Sequence, residues 1–294
     1  MSAEPPTGGP GARLGGALLV VSTPIGNLGD LTLRARDALA AVDHVAAEDT
    51  RRARQLLSHL GLGQKTLHRV DAHASPADLA KILDVLASGS DVALTTDAGT
   101  PAVSDPGGAL VAAAVHAGYT VSPLPGASAV LAALVASGLS GERGFRFMGF
   151  LPREGTERAE ALSRVAATPE PVVLYESARR LQGTLGDLAS ATPERACAVG
   201  RELTKLHEEV VRGTVSALAA DPREWLGEIV LVLGAHDVAA REAKVDDAAL
   251  DRRIAEGLAE GLHAKTLAER LSAWSGRPRR EIYERVVSQR GQRR

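Results

Sequence analysis

Short apolar segments followed by loops of small residues recur along the first half of the chain. Examples are residues 17–22 (ALLVVS), 44–47 (HVAA) and 91–95 (DVALT). Apolar runs of this length are typical of strands that are buried on both faces of a parallel sheet. The segments 31–42 and 76–87 between them have the apolar spacing of helices. This alternation predicts an α/β fold with helices on both faces of a parallel sheet.

The chain has 294 residues, which is enough for about two domains. We expect an N-terminal α/β domain over residues 17–124 and a C-terminal α/β domain with a partly antiparallel sheet over 125–236. Residues 1–16 are rich in Gly, Pro and Ala and predict a disordered tail. Residues 237–294 predict a small helical domain, because two amphipathic helices joined by a Gly-containing turn resemble a helix-turn-helix.

Composition excludes several classes of protein. Cys197 is the single cysteine, so an internal disulfide and a Cys-rich zinc site are excluded, and its apolar surroundings favour core packing. The His residues are scattered, and we expect no metal site. The chain has no apolar run of 18 residues, and its N-terminus lacks the pattern of a signal peptide. We therefore expect a cytoplasmic protein without a membrane span.

Two common nucleotide-binding motifs are absent, namely the P-loop and the Gly-x-Gly-x-x-Gly fingerprint after the first strand. Three loops of small residues follow strands instead, at 23–27 (TPIGN), 97–101 (DAGTP) and 125–129 (PGASA). Each loop alone fits a structural turn as well as a binding loop. Because all three are expected at the carboxyl edge of one sheet, together they predict a pocket that meets its ligand mostly with backbone groups.

Two charged segments also follow strands. Residues 48–51 (EDTR) place two acids and a base before a helix, where Asp49 or Thr50 is equally suited to cap the helix. Residues 201–205 (RELTK) fit a functional cluster or an exposed turn with an ion pair.

The formal net charge is −2, so any contact with nucleic acid requires a local basic patch. Such a patch lies near the C-terminus, where arginines outnumber acids. A solvated helical tail with a docking role is the alternative interpretation. The arginines that we expect to bind RNA are Arg277, Arg279, Arg280 and Arg285.

Eight segments match the motifs of a known family in the same order. The chain resembles the family of bacterial small-subunit ribosomal RNA methyltransferases I, of the tetrapyrrole methylase superfamily, from the first strand to its last residues. The segments are 20–29 (VVSTPIGNLG), 46–52 (AAEDTRR), 95–107 (TTDAGTPAVSDPG), 122–129 (SPLPGASA), 147–153 (FMGFLPR), 173–177 (VLYES), 201–205 (RELTK) and 227–234 (GEIVLVLG).

This resemblance implies S-adenosylmethionine (AdoMet) as methyl donor, held between two α/β domains, and no metal. The implied acceptor is the ribose 2′-hydroxyl of one cytidine in the decoding region of 16S rRNA, within the 30S subunit, and the implied assembly is a homodimer. We expect Asp49, Arg51 and Lys205 to lie near the acceptor ribose, where an acid such as Asp49 takes the proton and the two cations stabilise the adjacent phosphate. The residues expected to bind AdoMet are Pro24, Gly26, Asn27, Asp97, Ala98, Gly99, Thr100, Ser104, Gly126, Ala127 and Ser128.

The chain departs from many relatives after the segment 65–70. There a polar motif that contains His and Asn and ends in Glu is replaced by Val70-Asp71-Ala72-His73-Ala74-Ser75. Two other functions remain open at this point. One is methylation of a corrinoid or porphyrin precursor, which the Arg-rich C-terminus disfavours. The other is a non-enzymatic nucleic-acid-binding regulator, which leaves the loops of the α/β domains unexplained.

Overall fold

The computed structural model describes residues 15–141, 144–236, 247–259, 262–275 and 277–292. Residues 1–14 of the expected tail lie outside this part of the chain. At the end of that expected tail, the N–H of Gly16 donates to the carbonyl oxygen of Leu86 at 2.8 Å. Among the described residues, no helix has both the length and the apolar character that crossing a membrane requires.

The first half of the chain forms a five-stranded parallel sheet with the strand order β3-β2-β4-β1-β5. Its strands are β1 (Leu18–Val21), β2 (His44–Ala47), β3 (Thr66–Arg69), β4 (Val92–Thr95) and β5 (Val121–Leu124). The helices between them are α1 (Leu33–Ala41), α2 (Thr50–His59), α3 (Pro76–Ala87) and α4 (Gly108–His116).

Helices cover both faces of this sheet. Leu39 of α1 and Leu57 of α2 pack on one face, whereas Leu86 of α3 and Leu110 of α4 pack on the other. Coverage on both sides explains why every residue of β4 is buried. The strands β1 and β4 are neighbours, and the chain leaves them toward opposite faces of the sheet, to α1 and to α4. A crevice therefore forms where these two strands end.

The second half forms a five-stranded mixed sheet with the order β6-β7-β10-β8-β9, in which only the β6–β7 pair is parallel. Its strands are β6 (Arg146–Phe150), β7 (Val172–Ser177), β8 (Ala196–Arg201), β9 (Glu209–Thr214) and β10 (Glu228–Leu233). Its helices are α5 (Ala129–Ser137), α6 (Gly155–Ala167), α7 (Ala178–Ala191) and α8 (Val215–Ala219). The expected partly antiparallel sheet is confirmed.

Packing joins the two halves. Val130 and Leu134 of α5 cover one face of the second sheet, and Ile25, from the loop after β1, packs into the same apolar cluster. On the opposite face, Cys197 lies among the apolar side chains beneath α6, α7 and α8. Burial raises the pKa of the Cys197 thiol to about 12, in keeping with its expected place in the core.

Three helices near the C-terminus form a separate apolar cluster. They are α9 (Asp247–Ala259), α10 (Ala264–Ser275) and α11 (Arg279–Gln292). Ile254, Leu267 and Ile282 are buried at their centre. The expected helix–turn–helix corresponds to α10 and α11, whereas residues 237–246 of the expected domain lie outside the described part of the chain.

Candidate functional site: a cavity between the two sheets

The three small-residue loops meet beyond the carboxyl end of β1. Thr23 and Gly99 form two reciprocal backbone hydrogen bonds. The N–H of Thr23 donates to the carbonyl oxygen of Gly99 at 2.8 Å, and the N–H of Gly99 donates to that of Thr23 at 3.1 Å. The hydroxyl oxygens of Ser22 and Thr100 lie 3.0 Å apart. The Thr100 hydroxyl also donates to the carbonyl oxygen of Ala127 at 3.4 Å. The structure therefore brings together the loops that the sequence predicted to share one edge.

A cavity of about 940 Å³ lies between these loops and the second sheet. Residues 98–100 and 103–105 line one side, and residues 175–179 and 223–230 line the other. Small-molecule sites typically have volumes of about 300–1,000 Å³, so the cavity is large enough for a nucleoside-sized ligand.

The cavity divides the residues predicted to bind a cofactor into two groups. Ala98, Gly99, Thr100, Ser104 and Ser128 line it. The others are outside the lining that the described residues provide, and they are Pro24, Gly26, Asn27, Asp97, Gly126 and Ala127.

Several residues of this second group support the loops. A Cβ atom at Gly126 would lie 2.8 Å from the Cβ of Ser22, so only glycine permits this approach of the loop after β5 to β1. Asn27 accepts a hydrogen bond from the N–H of Gly29 at 2.9 Å and caps a short turn.

The second wall of the cavity was not identified from the sequence. Phe150 and Tyr175 lie on it with their ring centroids 5.4 Å apart, and Trp225 and Arg179 also line it. These residues belong to, or lie beside, the motifs at 147–153, 173–177 and 227–234. The available signal was their position at strand ends, but the sequence did not show that these strand ends face the first sheet.

Asp49 and Arg51 bind each other at the start of α2. The Asp49 carboxylate caps the helix by accepting from the N–H of Arg51 at 2.8 Å, and it receives the Arg51 guanidinium at 2.7 Å and 3.1 Å. These hydrogen bonds hold the pKa of Asp49 well below its usual range. Of the two candidates for the cap, the structure selects Asp49.

Lys205 lies across Gly26, where a Cβ atom would collide with the lysine side chain. Its ammonium group contacts the carboxylates of Glu202 and Glu228, both at 3.0 Å. Burial opposes the charge on Lys205, but these two hydrogen bonds outweigh it and raise the lysine pKa. Glu202 and Thr204 both adopt positive φ angles, +48° and +67°, as is common for loops at functional sites.

Asp105 lines the cavity on the loop before α4 and is half-buried. Burial raises the pKa of its carboxyl group to about 6, although the nearby Thr96 hydroxyl lowers it, and the nearby charges of Glu48 and Asp97 raise it further. Across the described residues, no cluster of His, Cys, Asp and Glu side chains is arranged to hold a metal ion.

The profile of the tetrapyrrole (corrin/porphyrin) methylases matches residues 17–219. A protein of Mesorhizobium japonicum named ribosomal RNA small subunit methyltransferase I is 43% identical over 284 residues, which cover 95% of this chain and 94% of that protein. The chain belongs to the ribosomal RNA small subunit methyltransferase I family. A member from Xylella fastidiosa is 42% identical and covers 91% of this chain and 98% of its own length. The expected family and the expected enzyme class, a methyltransferase, are thus confirmed.

Solved structures show the same fold in more distant proteins. Uroporphyrin III C-methyltransferase from Thermus thermophilus superimposes with a TM-score of 0.55 at 20% identity and covers 74% of this chain and 97% of its own. Diphthine synthase gives a TM-score of 0.56 at 16% identity and covers 75% of this chain and 91% of its own. The expected tetrapyrrole-methylase fold is confirmed.

The C-terminal helices of this methyltransferase and the turn before α11 contain the arginines predicted to bind RNA, and each contacts a carboxylate. Arg285 forms a bidentate ion pair with Asp251 at 2.7 Å and 2.9 Å, and Arg277 contacts Asp247 at 2.6 Å. Both arginines are mostly covered, and they hold α11 and the turn before it against α9. Arg279 contacts Glu269 at 3.4 Å, and Arg280 contacts Glu284 at 3.1 Å.

Exposure distinguishes these arginines. The side chains of Arg279 and Arg280 are 47% and 91% exposed, compared with 23% and 28% for Arg277 and Arg285. Ion pairs at exposed positions contribute little to stability, so Arg279 and Arg280 can exchange their carboxylates for another anion at low cost.

The segment that departs from the relatives forms a turn after β3. The Asp71 carboxylate contacts Arg69 at 2.6 Å and accepts from the N–H of His73 at 2.9 Å. Ser75 and Asp78 then form a capping box at the start of α3. These local bonds account for Asp71, the acid of the segment.

Proposed function

We propose that this methyltransferase transfers a methyl group from AdoMet to the ribose 2′-hydroxyl of one cytidine in the decoding region of 16S rRNA. The observation that carries the proposal is the 42–43% identity to two proteins named for small-subunit ribosomal RNA, over at least 91% of each chain. The cytidine and the 2′-hydroxyl are those that the family resemblance implies.

The cavity fits AdoMet. The solved structure of uroporphyrin III C-methyltransferase in complex with S-adenosylhomocysteine has the same fold, with a TM-score of 0.53 at 21% identity, and covers 75% of this chain and 97% of its own. Here, the left-handed Gly99 (φ +84°) lets the backbone line the cavity without a side chain, and Ile25 and Phe150 offer apolar surface. Gly99, Thr100, Ser104 and Ser128 would hold the donor. When bound, AdoMet supplies a methyl group on a positively charged sulfur.

The chain's own contribution is mostly positioning. A group transfer between two bound partners gains much of its rate from alignment of the reacting atoms. We place Arg51 and Lys205 beside the phosphates that flank the acceptor ribose, where cations are favoured. Asp49 holds Arg51 through their paired hydrogen bonds. Its carboxylate therefore serves to orient a cation in this arrangement.

The proposal also includes a homodimer that acts on the 30S subunit in the cytoplasm. Large apolar side chains are exposed at Leu33 (76%), Val135 (76%) and Leu206 (92%). A homodimer would bury such side chains where they lie in its interface.

Tritiated AdoMet, the purified protein and 30S subunits that lack the modification provide the direct test. We expect label on one cytidine ribose of 16S rRNA, located by nuclease mapping. Free 16S rRNA, assayed in parallel, is expected to accept less label if the assembled subunit is the substrate. Label on a base, or no label despite AdoMet binding in a separate titration, would contradict the proposed acceptor.

The exposed arginines of the C-terminal helices are expected to bind RNA phosphates. Tyr283, 45% exposed, lies one turn along α11 from Arg280 and is suited to stack on an unpaired base. Replacing Arg279 and Arg280 together with Glu should weaken 30S binding by about tenfold. It should also reduce the slope of log affinity against log salt by about 1 for each phosphate that the variant no longer neutralises.

Filter binding over a salt series measures both effects. The matched control is Lys81→Glu together with Arg164→Glu, a double charge reversal at exposed positions of α3 and α6. If the double variant and the control bind alike at every salt concentration, the docking role of a solvated helical tail is the better interpretation.

A further inference from the structure

The carboxylates that line the cavity differ in the hydrogen bonds and ion pairs that they already make. Among the described residues these groups are Asp105, Glu176, Glu224 and Glu228. Transfer of a methyl group to a hydroxyl releases a proton, so a carboxylate with a free lone pair toward the cavity has a chemical use there.

Glu176 is fully engaged. It accepts from the N–H of Ser177 at 2.8 Å and from the hydroxyl of Thr184 at 2.7 Å, and it contacts the Arg180 guanidinium at 3.3 Å. Its side chain is 1% exposed. These donors already occupy its carboxylate oxygens, so Glu176 is suited to shape the wall of the cavity.

Two others are on the outer rim. Glu228 contacts the Lys205 ammonium at 3.0 Å while its side chain remains 74% exposed. Glu224 is exposed on the segment that precedes β10. Glu228 is therefore already paired with a cation, and Glu224 is open to solvent.

Asp105 is in a different environment. It is half-buried, and the neighbouring Thr96 hydroxyl only partly offsets the effect of burial on its pKa. The single proton of that hydroxyl is donated to the Glu48 carboxylate at 3.1 Å. Asp97, the other acid nearby, contacts Arg52 at 3.4 Å and accepts from the N–H of Asp49 at 3.3 Å. The Thr96 hydroxyl beside Asp105 thus gives its proton to a second carboxylate.

The loop that carries Asp105 has an unusual backbone. Ala102 and Ser104 adopt φ angles of +67° and +61°, and Gly107 follows at +111°. Such conformations cost free energy in non-glycine residues and are retained where the surroundings require them. Tyr175 faces Asp105 from β7, and burial together with the charge of Asp105 raises the tyrosine pKa.

We propose that Asp105 is the general base of the reaction, taking the proton of the acceptor hydroxyl. The acceptor oxygen forms its bond to the methyl carbon while the carbon–sulfur bond breaks with its electron pair left on sulfur. The hydroxyl proton passes to a carboxylate oxygen of Asp105. This inference rests on the proposed function, because it requires a hydroxyl acceptor.

Asp105→Asn removes the base and retains the shape of the side chain. Single-turnover methylation is expected to slow by about 10²–10⁴-fold, while AdoMet affinity measured by calorimetry stays within about twofold of wild type. The matched control, Asp84→Asn on the exposed surface of α3, should retain the full rate. Thermal melting of both variants shows whether they remain folded.

The pH profile provides an independent test. A base must be ionised to accept a proton, so a pKa of about 6 predicts a rate that rises tenfold per pH unit below 6 and levels off above it. In Asp105→Asn this rise should vanish. Thr96→Val, which removes the hydroxyl that lowers the pKa of Asp105, should move the midpoint to higher pH.

Carbon-13 NMR of the carboxyl groups supplies a readout that does not depend on activity. A resonance that titrates near pH 6 in wild type and is missing from Asp105→Asn is expected. A full methylation rate with an unchanged pH profile in Asp105→Asn would overturn the assignment of the base. Failure of the wild-type protein to label any RNA hydroxyl would instead overturn the proposed function.

Discussion

Gly99→Leu is expected to abolish AdoMet binding while the protein remains folded. Gly99 lines the cavity with a φ of +84°, and a Cβ atom there would lie 3.5 Å from the Cγ2 of Ile25. The remaining atoms of a leucine side chain would then extend beside Ile25, which also lines the cavity. We expect the AdoMet dissociation constant to rise by at least about 100-fold, which corresponds to about 2.7 kcal/mol.

Gly89→Leu is the matched control for backbone strain. Gly89 follows α3 with a φ of +94°, and a Cβ atom there would meet nothing within 4 Å. Leucine at either position adopts an unfavourable φ that costs about 1–2 kcal/mol of folding stability. Calorimetry should therefore show normal AdoMet binding in Gly89→Leu alone. Equal losses in both variants would attribute the effect to destabilisation, and retained affinity in Gly99→Leu would contradict the location of the donor.

Arg195→Met is expected to lower the free energy of unfolding by about 3 kcal/mol. The Arg195 side chain is buried and donates to the carbonyl oxygens of Val165 at 2.9 Å, Glu170 at 2.9 Å and Gly234 at 2.8 Å. It thereby joins the end of α6 to the end of β10. Each buried acceptor left without a donor costs about 1–3 kcal/mol. Burial also lowers the pKa of Arg195 to about 10, so removing the cation recovers part of that cost.

Urea unfolding followed by circular dichroism measures this loss. Arg164→Met, at an exposed position of α6, removes the same kind of side chain from the surface and should change stability by less than about 0.5 kcal/mol. An Arg195→Met variant as stable as this control would show that methionine packing compensates for the three missing hydrogen bonds.

Helices and strands were predictable where capping residues, proline, glycine or polar residues mark their ends. The expected bounds of α3 match the structure, since Ser75 and Asp78 form a capping box, Pro76 occupies the first turn and Gly89 follows the helix. The strand at 44–47 also matches, because an apolar run between polar residues marks a buried strand. The position of the three loops at one sheet edge followed from the parallel order of the strands.

The charges of the site were less predictable. Asp49 and Arg51 are two positions apart, so their ion pair could be predicted from neighbouring residues of the sequence. Arg285 appears in the sequence only as one arginine in a basic stretch, whereas its partner Asp251 lies on another helix. Asp105 was not singled out, because its environment comes from Thr96, Glu48 and Tyr175 on other loops and strands.

The sequence by itself determined the order of strands and helices, the small-residue loops and the family, because periodicity, capping residues and motifs are properties of neighbouring positions. Only the tertiary structure decided which loop residues line the cavity, which wall faces them and which charges are already paired. Burial and pairing depend on groups brought together from distant parts of the chain. A carboxylate at position 49 and one at position 105 therefore read alike in the sequence, but differ in proton affinity in the folded protein.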